Sequence, residues 1–400
     1  MVNRSKYIEK LKSFKDLQII KVITGIRRCG KSTLLKLYQE ELIKNGIKSE
    51  QIIYINLEDK DFETLKNVDN LYSYLKSKLN KEMMNYIFID EVQECRDFQT
   101  AVNSLFLKDN VDIYLTGSNA HMLSSELATL LSGRYVEIEV LPLSFEEYLL
   151  GVGFNNIEQK YRDYLKFGSF PFILQLNGNE EQINMYLDGL YNTIFKKDII
   201  QKNKINNEDA LENVTKFVFD NIGNLISSKK ISDTLKSNNI KVSQPTVESY
   251  LKALVDSYFI YKVSRYDVKG KQYLKSLAKY YVSDMGLRNY LLGYKASNRG
   301  FILENIVYLE LLRRGYKVFI GKVDNGEIDF VTFKGDETIY IQVAESIKDE
   351  NTFIREMKPL KSVKDFNKRV IITTDYDINS SYDGIRHINI IDFLLNKIIL

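Results

Sequence analysis

An octapeptide near the start of the chain combines two glycines with a lysine and a serine at fixed spacing. Residues Gly25 to Ser32, GIRRCGKS, match the pattern G-x-x-x-x-G-K-[ST]. In this pattern the glycines let the backbone wrap around phosphate oxygens, the lysine reaches the β- and γ-phosphates, and the serine hydroxyl ligates Mg²⁺. An ordinary glycine turn is the alternative. The pattern therefore predicts a nucleotide phosphate site in which Lys31 and Ser32 have these roles.

The flanking segments favour the phosphate site, because the run IIKVIT before the loop is typical of a strand and STLLKLYQEELI after it is typical of a helix. A helix N-terminus adds positive potential at the loop. The side chains of Arg27 and Arg28 either touch phosphate or stabilise the fold, and that of Cys29 is optional. The predicted nucleotide contacts are Gly25, Ile26, Arg27, Arg28, Cys29, Gly30, Lys31, Ser32 and Thr33.

Two carboxylates end a second apolar run, Tyr86-Ile-Phe-Ile-Asp90-Glu91. Asp90, at the end of a strand, can hold Mg²⁺ through water, and Glu91 can orient and polarise an attacking water in phosphoryl transfer. Standing alone, such a pair is more typical of a solvated loop. After a phosphate loop it predicts ATP hydrolysis with Mg²⁺ as the cofactor.

Two further positions are candidates for sensing or stabilising the γ-phosphate. The run Ile113-Tyr-Leu-Thr-Gly-Ser118-Asn119 ends in small polar residues, which makes Asn119 a sensor candidate and Ser118 the alternative. Arg134 follows a glycine and could neutralise transition-state charge on its own or a neighbouring subunit's nucleotide. Its alternative role is that of a surface arginine paired with Glu137 or Glu139.

The elements that must position these residues alternate strand and helix signals through residue 145, as in a parallel α/β sheet. Amphipathic stretches over 32–45 and 68–79 predict helices between the strands. The predicted strands are 17–24, 52–57, 85–90, 111–116 and 135–140.

Beyond residue 145 the pattern changes three times. Residues 146–221 are mostly helical, with an interruption at Phe167-Gly-Ser-Phe-Pro171, and predict a lid or connector. Residues 222–292 predict helix, turn, helix and hairpin, which is a winged-helix pattern. Residues 293–400 predict a separate small α/β domain of helix, strand, strand, helix and strand. The predicted domains are therefore 1–145, 146–221, 222–292 and 293–400.

The winged-helix segment is locally basic. The segment from Ile222 to Gln272 contains eight Lys, one Arg and four acidic residues, which gives a formal charge of +5. The whole chain carries only +3. Such a surface suits DNA phosphates, although winged helices also serve as pure protein-interaction modules. The candidate contacts are Ser243, Gln244, Thr246 and Glu248 on the second helix and Lys262, Arg265, Lys269 and Lys271 on the wing.

Together, several motifs resemble those of AAA-superfamily ATPases of the archaeal-ATPase-like group. They are the phosphate loop, Glu58-Asp59, the DEVQ run at Asp90, the TGSN run at Thr116, and LSGR followed by PLSF. The resemblance implies ATP binding and hydrolysis on an additional-strand sheet whose Walker B strand lies between the phosphate-loop strand and the sensor strand. The Phe167-Gly-Ser-Phe-Pro171 element and the chain after it look like the domain of unknown function that follows this ATPase in many bacterial and archaeal chains.

The last segment resembles a PD-(D/E)XK nuclease core, in which Asp and Glu bind a divalent metal and a lysine activates water. The matching residues are Glu304, Asp329 and Gln342, but Gln342 replaces a carboxylate and Ala344 replaces the lysine. Residues that could substitute from nearby are Lys348, Arg355 and Glu356. We therefore expect a vestigial site that retains a binding fold and does not cleave DNA.

Composition excludes other classes of protein. Cys29 and Cys95 are the only cysteines, too few for a disulfide framework or a zinc site, and they fit a reducing compartment. No run of eighteen apolar residues and no secretory signal occurs, which favours a cytoplasmic protein without a membrane partner. His121 and His387 have no companion ligands, so a core or surface role is favoured.

Three functions are consistent with these observations. The leading one is an ATPase that acts as a nucleotide-driven switch or remodeller, with DNA as a candidate substrate and a protein partner or a second copy of the chain as further candidates. The second is an ATP-gated, metal-dependent nuclease, against which the replacements Gln342 and Ala344 count. The third is a nucleotide-binding scaffold without turnover, against which Glu91 counts.

Overall fold

A computed structural model describes residues 2–118, 131, 133–294, 299–324, 326–376 and 380–398 of the 400-residue chain. The chain divides into two compact units. The first consists of Met1–Pro142 with Asp256–Tyr258, and the second of Leu143–Val255 with Phe259–Leu400. The predicted phosphate site belongs to the first unit, and the predicted nuclease-like residues belong to the second.

The first unit is built around a parallel sheet of apolar strands. Within the described ranges, the strands are β1 (Ile20–Thr24), β2 (Ile52–Asn56), β3 (Asn85–Asp90), β4 (Val111–Thr116) and β5 (Tyr135–Glu139). Strands β1, β3 and β4 are buried along their whole length, as expected where both faces of a parallel sheet are covered. The predicted α/β class is confirmed, and the five predicted strands are present.

The strand order is β2-β3-β4-β1-β5. The expectation that the Walker B strand, β3, lies between β1 and the sensor strand β4 is wrong, because β4 pairs with both β1 and β3. The central position of β4 brings its carboxyl end, Thr116, between the phosphate loop and the Asp90-Glu91 pair. A single hydroxyl at this position can therefore reach the acidic pair.

Four described helices accompany this sheet: α1 (Ser5–Ser13), α2 (Lys31–Lys44), α3 (Val68–Lys78) and α4 (Phe98–Phe106). Helix α3 begins where the Asn67 side chain accepts hydrogen bonds from the next turn, which satisfies otherwise unpaired backbone donors. Apolar side chains of α3 and α4, such as Leu71 and Leu105, pack with Ile87 and Leu115 of the strands in one buried cluster. This core fixes the strand ends that carry the chemistry.

The second unit begins with helices, as the periodicity predicts. Ser144 starts the first of them through a capping box with Glu147. The described helices are α5 (Phe145–Val152), α6 (Ile157–Phe167), α7 (Glu180–Thr193), α8 (Glu208–Asp220), α9 (Ser228–Ser237), α10 (Gln244–Asp256), α11 (Met285–Leu292), α12 (Arg299–Arg313), α13 (Glu350–Ser362) and α14 (Ile390–Leu394). Helix α7 continues directly into a π-helical stretch, Ile194–Gln201. None of the described helices is both long and apolar enough to cross a membrane.

The interruption at Phe167-Gly-Ser-Phe-Pro171 is a packing junction. The backbone N–H and the hydroxyl of Ser169 donate to the buried carboxylate of Asp284 at 2.7 and 3.0 Å. Gly168 has φ +82°, and a Cβ there would lie 2.2 Å from the same carboxylate. The glycine is therefore required by close approach and by backbone conformation.

One mixed sheet runs through the rest of the second unit. Its described strands are β6 (Ile260–Asp267), β7 (Gln272–Val282), β8 (Lys317–Val323), β9 (Gly326–Lys334), β10 (Glu337–Val343), β11 (Lys368–Thr373), β12 (Ser381–Tyr382) and β13 (Ile385–Asn389). Their order is β12-β13-β11-β10-β9-β8-β6-β7. Three strands precede α13 where the pattern predicts two.

The predicted wing hairpin, β6 and β7, belongs to this sheet because β6 pairs in parallel with β8 through residues 265–267. The segments predicted as a winged helix and as a separate α/β domain therefore share backbone hydrogen bonds. Sequence periodicity does not reveal this continuity, because it depends on pairing between strands about fifty residues apart. The four domain boundaries stay predictions.

Candidate nucleotide-binding site

The predicted phosphate loop forms the turn between β1 and α2. Gly25 has φ +136°, and a Cβ on it would lie 2.1 Å from the carbonyl oxygen of Val140. Gly30 adopts φ +105° immediately before α2. These positions require glycine, since a side chain would collide at the first and be strained at both. The two glycines thus hold the loop in the path that the motif predicts.

Lys31 is the first residue of α2, and its side chain turns back onto the loop. It is 4 % exposed, and its Nζ donates to the carbonyl oxygens of Gly25 and Ile26 at 3.0 and 3.2 Å. The ammonium group is thereby held against the loop backbone. Ser32 and Thr33 follow it, half-buried, in the first turn of the helix, where free N–H groups and the helix dipole favour anions.

The other loop side chains differ in their surroundings. Arg27 is buried and pairs with Glu58 after β2, with an N–O distance of 3.2 Å, so it ties the loop to the neighbouring strand end. Arg28 is exposed and adopts φ +66°. Burial raises the pKa of the Cys29 thiol, which favours its protonated, unreactive form.

Arg4 also helps to fix the phosphate loop, although no sequence motif pointed to it. Its guanidinium donates to the carbonyl oxygens of Cys29 in the loop and of Leu141 after β5, at 3.0 and 2.9 Å. The backbone N–H of Leu141 donates to the Tyr7 hydroxyl at 3.1 Å. Residues beside and within α1 therefore fix the phosphate loop. No local motif marks Arg4, because its partners are 25 and 137 residues away.

Asp90 is held by side chains from the strands on both sides of β3. The hydroxyl of Thr116 donates to its Oδ1 at 2.5 Å, and the hydroxyl of Tyr54 donates to its Oδ2 at 3.1 Å. Burial and the nearby Asp90 charge raise the pKa of Tyr54, so this phenol stays protonated as a donor. Each oxygen of Asp90 retains acceptor capacity for the water shell of a cation.

Glu91 is positioned by its backbone as well as by its side chain. It is buried and has φ +53°, and its N–H donates to the Thr116 hydroxyl at 2.9 Å. Gln93 Nε2 donates to Glu91 Oε2 and lies 3.5 Å from the hydroxyl of Ser118. The tertiary structure thus adds Thr116 and Gln93 to the predicted pair.

The remaining two predictions for this site have different outcomes. Asn119 lies outside the described residues, whereas its alternative, Ser118, is buried near Gln93.

Arg134 lies at the start of β5, where its carbonyl oxygen accepts from the N–H of Ile20. The phosphate loop follows the opposite end of β1, roughly 13 Å away along the strand. The exposed guanidinium lies over the ring of Phe106, 5.7 Å from its centroid.

The residues predicted as a vestigial nuclease site lie together in the second unit. The N–H of Asp329 on β9 donates to Gln342 Oε1 on β10 at 3.3 Å, and the amide of Gln342 donates to Glu356 at 2.9 Å. Arg355 pairs with Glu356 at 2.8 Å. Gln342 therefore bridges the predicted site and one of the residues proposed as substitutes.

An ammonium group contacts this cluster from a strand that the motif does not include. Lys279 on β7 is buried, and its Nζ donates to Glu304 on α12 at 2.8 Å. Lys348, which the sequence suggested as a substitute, is exposed. Lys279 was missed because the motif places the lysine two residues beyond position 342, whereas the tertiary structure supplies it from another strand.

The sheet order, with a phosphate loop after β1 and an acidic pair after β3, defines a P-loop ATPase fold. Residues 18–149 match the model of a family described as an AAA domain. Residues 158–298 and 299–393 match two domains of unknown function, DUF8612 and DUF4143.

The chain is similar to an uncharacterized protein of Haemophilus influenzae, with 41 % identity over 400 residues and 99 % of each chain covered. It is 35 % identical over 368 residues to the uncharacterized protein MJ1544 of Methanocaldococcus jannaschii, covering 86 % of this chain and 79 % of that one. The chain belongs to their family, and in this chain an AAA domain precedes two domains of unknown function.

A solved structure supports the same fold. The Walker-type ATPase PABY2304 of Pyrococcus abyssi superposes with a TM-score of 0.52 at 16 % identity, covering 73 % of this chain and 96 % of that chain. At this level of identity the likeness concerns the fold.

Proposed function

We propose that this protein hydrolyses ATP and uses the change in nucleotide state as a switch or remodelling step on a further partner. The observation that carries the proposal is the hydrogen-bonded series Asp90, Thr116 and Glu91 beside the Lys31 loop. A metal-holding carboxylate and a water-activating carboxylate are thereby fixed in separate orientations. A binding scaffold without turnover has no need of this second, oriented carboxylate.

The residues divide the chemistry among them. Lys31 and the loop N–H groups neutralise the phosphates, and Glu91 orients and polarises the attacking water. Ser32 and Asp90 offer the hydroxyl and carboxylate oxygens that Mg²⁺ prefers, so they are the residues that would hold it. Bound Mg²⁺ would neutralise charge that develops on the transferred phosphoryl group.

DNA is the proposed partner class, and the basic segment from Lys229 to Lys271 supports it. Lys262, Lys269 and Lys271 on the hairpin are exposed. Lys269 pairs with Asp324 at 3.0 Å, but both side chains are more than two-thirds exposed, and such a pair contributes little and can exchange for phosphate. Binding through these lysines should weaken as salt rises, because neutralised phosphates release counterions.

The test is ATP turnover and nucleotide affinity of the full chain, with and without duplex DNA. We expect Lys31→Ala to lose tight ATP binding, and Glu91→Gln to keep binding while turnover falls by on the order of 10²- to 10⁴-fold. We expect duplex DNA to change the wild-type rate at low salt. Lys36→Ala on the exposed side of α2 and Glu94→Gln in the turn after Glu91 are matched controls.

Equal loss of nucleotide affinity in Lys31→Ala and Glu91→Gln would contradict the two role assignments. A wild-type rate in Glu91→Gln would contradict hydrolysis by this site. If duplex DNA neither binds nor alters turnover at any salt concentration, DNA is not the partner, and the ATPase proposal is then judged by the two variants alone.

A further inference from the structure

A buried lysine lies at the centre of an acidic cluster in the second unit. Lys279 is 5 % exposed, and its Nζ is 2.8 Å from Glu304, 2.7 Å from Glu327 and 3.6 Å from Asp329. The lysine comes from β7, whereas its partners come from α12 and β9. An ammonium group has three N–H donors, and here three carboxylates surround it.

The same carboxylates have additional internal donors. The Tyr281 hydroxyl donates to the Glu304 oxygen that also accepts from Lys279. The other oxygen of Asp329 accepts from the N–H of Val343 at 2.9 Å. Gln342, which stands where a nuclease of this fold has a carboxylate, has its amide occupied by Asp329 and Glu356. Protein donors thus already contact each of the three carboxylates.

The Lys279 ammonium group is enclosed by carboxylate oxygens of three side chains. A second cation bound to the same oxygens would lie close to the ammonium and be repelled by it in a poorly screened interior.

We propose that the Lys279 ammonium is a built-in cation that takes the place of a divalent metal among Glu304, Glu327 and Asp329. The cluster then joins β7 to α12 and β9 without metal, and metal-dependent DNA cleavage does not occur there. Removal of the ammonium leaves three carboxylates around one point, which suits an oxygen-preferring cation such as Mn²⁺. A cavity of about 600 Å³ is lined by two of these carboxylate side chains, Glu304 and Asp329.

The test is a Mn²⁺ titration of the nucleotide-free full chain, followed by electron paramagnetic resonance. We expect wild type and Asp329→Asn to take up the same amount of Mn²⁺. Lys279→Met should gain one site per chain, at least about tenfold tighter than any wild-type uptake, and this site should be lost in Lys279→Met with Asp329→Asn. Mn²⁺ should also raise the Tm of Lys279→Met, because a ligand that binds the folded state stabilises it.

Lys317→Met is the matched control, since Lys317 is an exposed lysine at the start of β8 in the same sheet, and it should bind Mn²⁺ like wild type. Wild-type uptake that disappears in Asp329→Asn would overturn the proposal. A folded Lys279→Met that gains no site would also overturn it. If Lys279→Met does not fold, the comparison of wild type with Asp329→Asn still decides, because equal uptake supports a metal-free cluster and unequal uptake refutes it.

Discussion

Glu91 can polarise a water effectively only when its carboxylate keeps one orientation, and Gln93 is the side chain that contacts it. Gln93 Nε2 donates to Glu91, while Gln93 Oε1 is buried without a hydrogen-bond partner among the described residues. The amide therefore holds the carboxylate and retains an acceptor beside it. Such an acceptor can receive a hydrogen bond from the water that Glu91 activates.

We predict that Gln93→Ala lowers kcat for ATP by on the order of 10- to 100-fold and leaves nucleotide affinity unchanged, because misplacing the water-activating group affects the transition state. Glu91→Gln combined with Gln93→Ala should be no slower than Glu91→Gln alone, since both changes act through one carboxylate. Steady-state turnover and binding of a fluorescent nucleotide measure these effects. Normal kcat in Gln93→Ala, or an equal loss in Glu94→Ala, would remove Gln93 from this role.

At the scale of the elements, His387 lies near one edge of the second-unit sheet, on β13, in an environment that favours its neutral form. His387 on β13 lies beside β11, with its Nε2 2.8 Å from the Thr373 hydroxyl. Burial lowers the pKa of His387 from its usual 6.5, and Asp375 offsets this only in part. The sequence favoured a core or surface role for His387, and its buried position has a consequence for stability.

The sign of this consequence follows from linkage. When the folded-state pKa is the lower one, the unfolded chain binds the proton more tightly, so stability falls as pH drops from about 6.5 through the folded-state value. We predict that the Tm of wild type decreases over this interval and that His387→Asn, which keeps a polar group near Thr373, shows a smaller decrease. Thermal unfolding followed between pH 7.5 and 5 compares the two. Parallel curves would contradict the assignment.

At the scale of the whole molecule, the position of Arg134 determines which nucleotide its guanidinium could reach. Arg134 lies beside the start of β1, whereas the phosphate loop of the same chain follows the end of β1. A role in catalysis therefore requires a neighbouring subunit's nucleotide. We propose this role in trans, for which removal of an arginine finger costs on the order of 10³ to 10⁵ in rate.

We predict that Arg134→Ala and Glu91→Gln are each slow alone and that a mixture of the two regains turnover. In mixed assemblies, an intact Arg134 from one variant lies beside an intact Glu91 from the other. ATP turnover measured across mixing ratios at fixed total protein tests this complementation. An unchanged rate in Arg134→Ala under assembling conditions, or no recovery on mixing, would argue against a finger in trans.

The phosphate loop, the Asp90-Glu91 pair and the strand pattern of residues 17–140 could be predicted from sequence, because each is encoded within one continuous segment. A loop that wraps phosphate needs glycines at fixed offsets, and buried parallel strands need short apolar runs. The sequence by itself therefore determined the class of chemistry and the fold class of the first unit.

Tertiary structure decided the contacts between distant segments. Strand order placed β4 between β1 and β3, so that Thr116 reaches both Asp90 and Glu91. The tertiary structure also brings Lys279 to Glu304 and Asp329. The nuclease-like motif has Ala344 at its lysine position and gives no sign of this contact. Strand pairing and register bring together residues that no local spacing relates. For this reason sequence patterns could predict the phosphate loop, but they could not predict the groups that hold Glu91 or neutralise the acidic cluster.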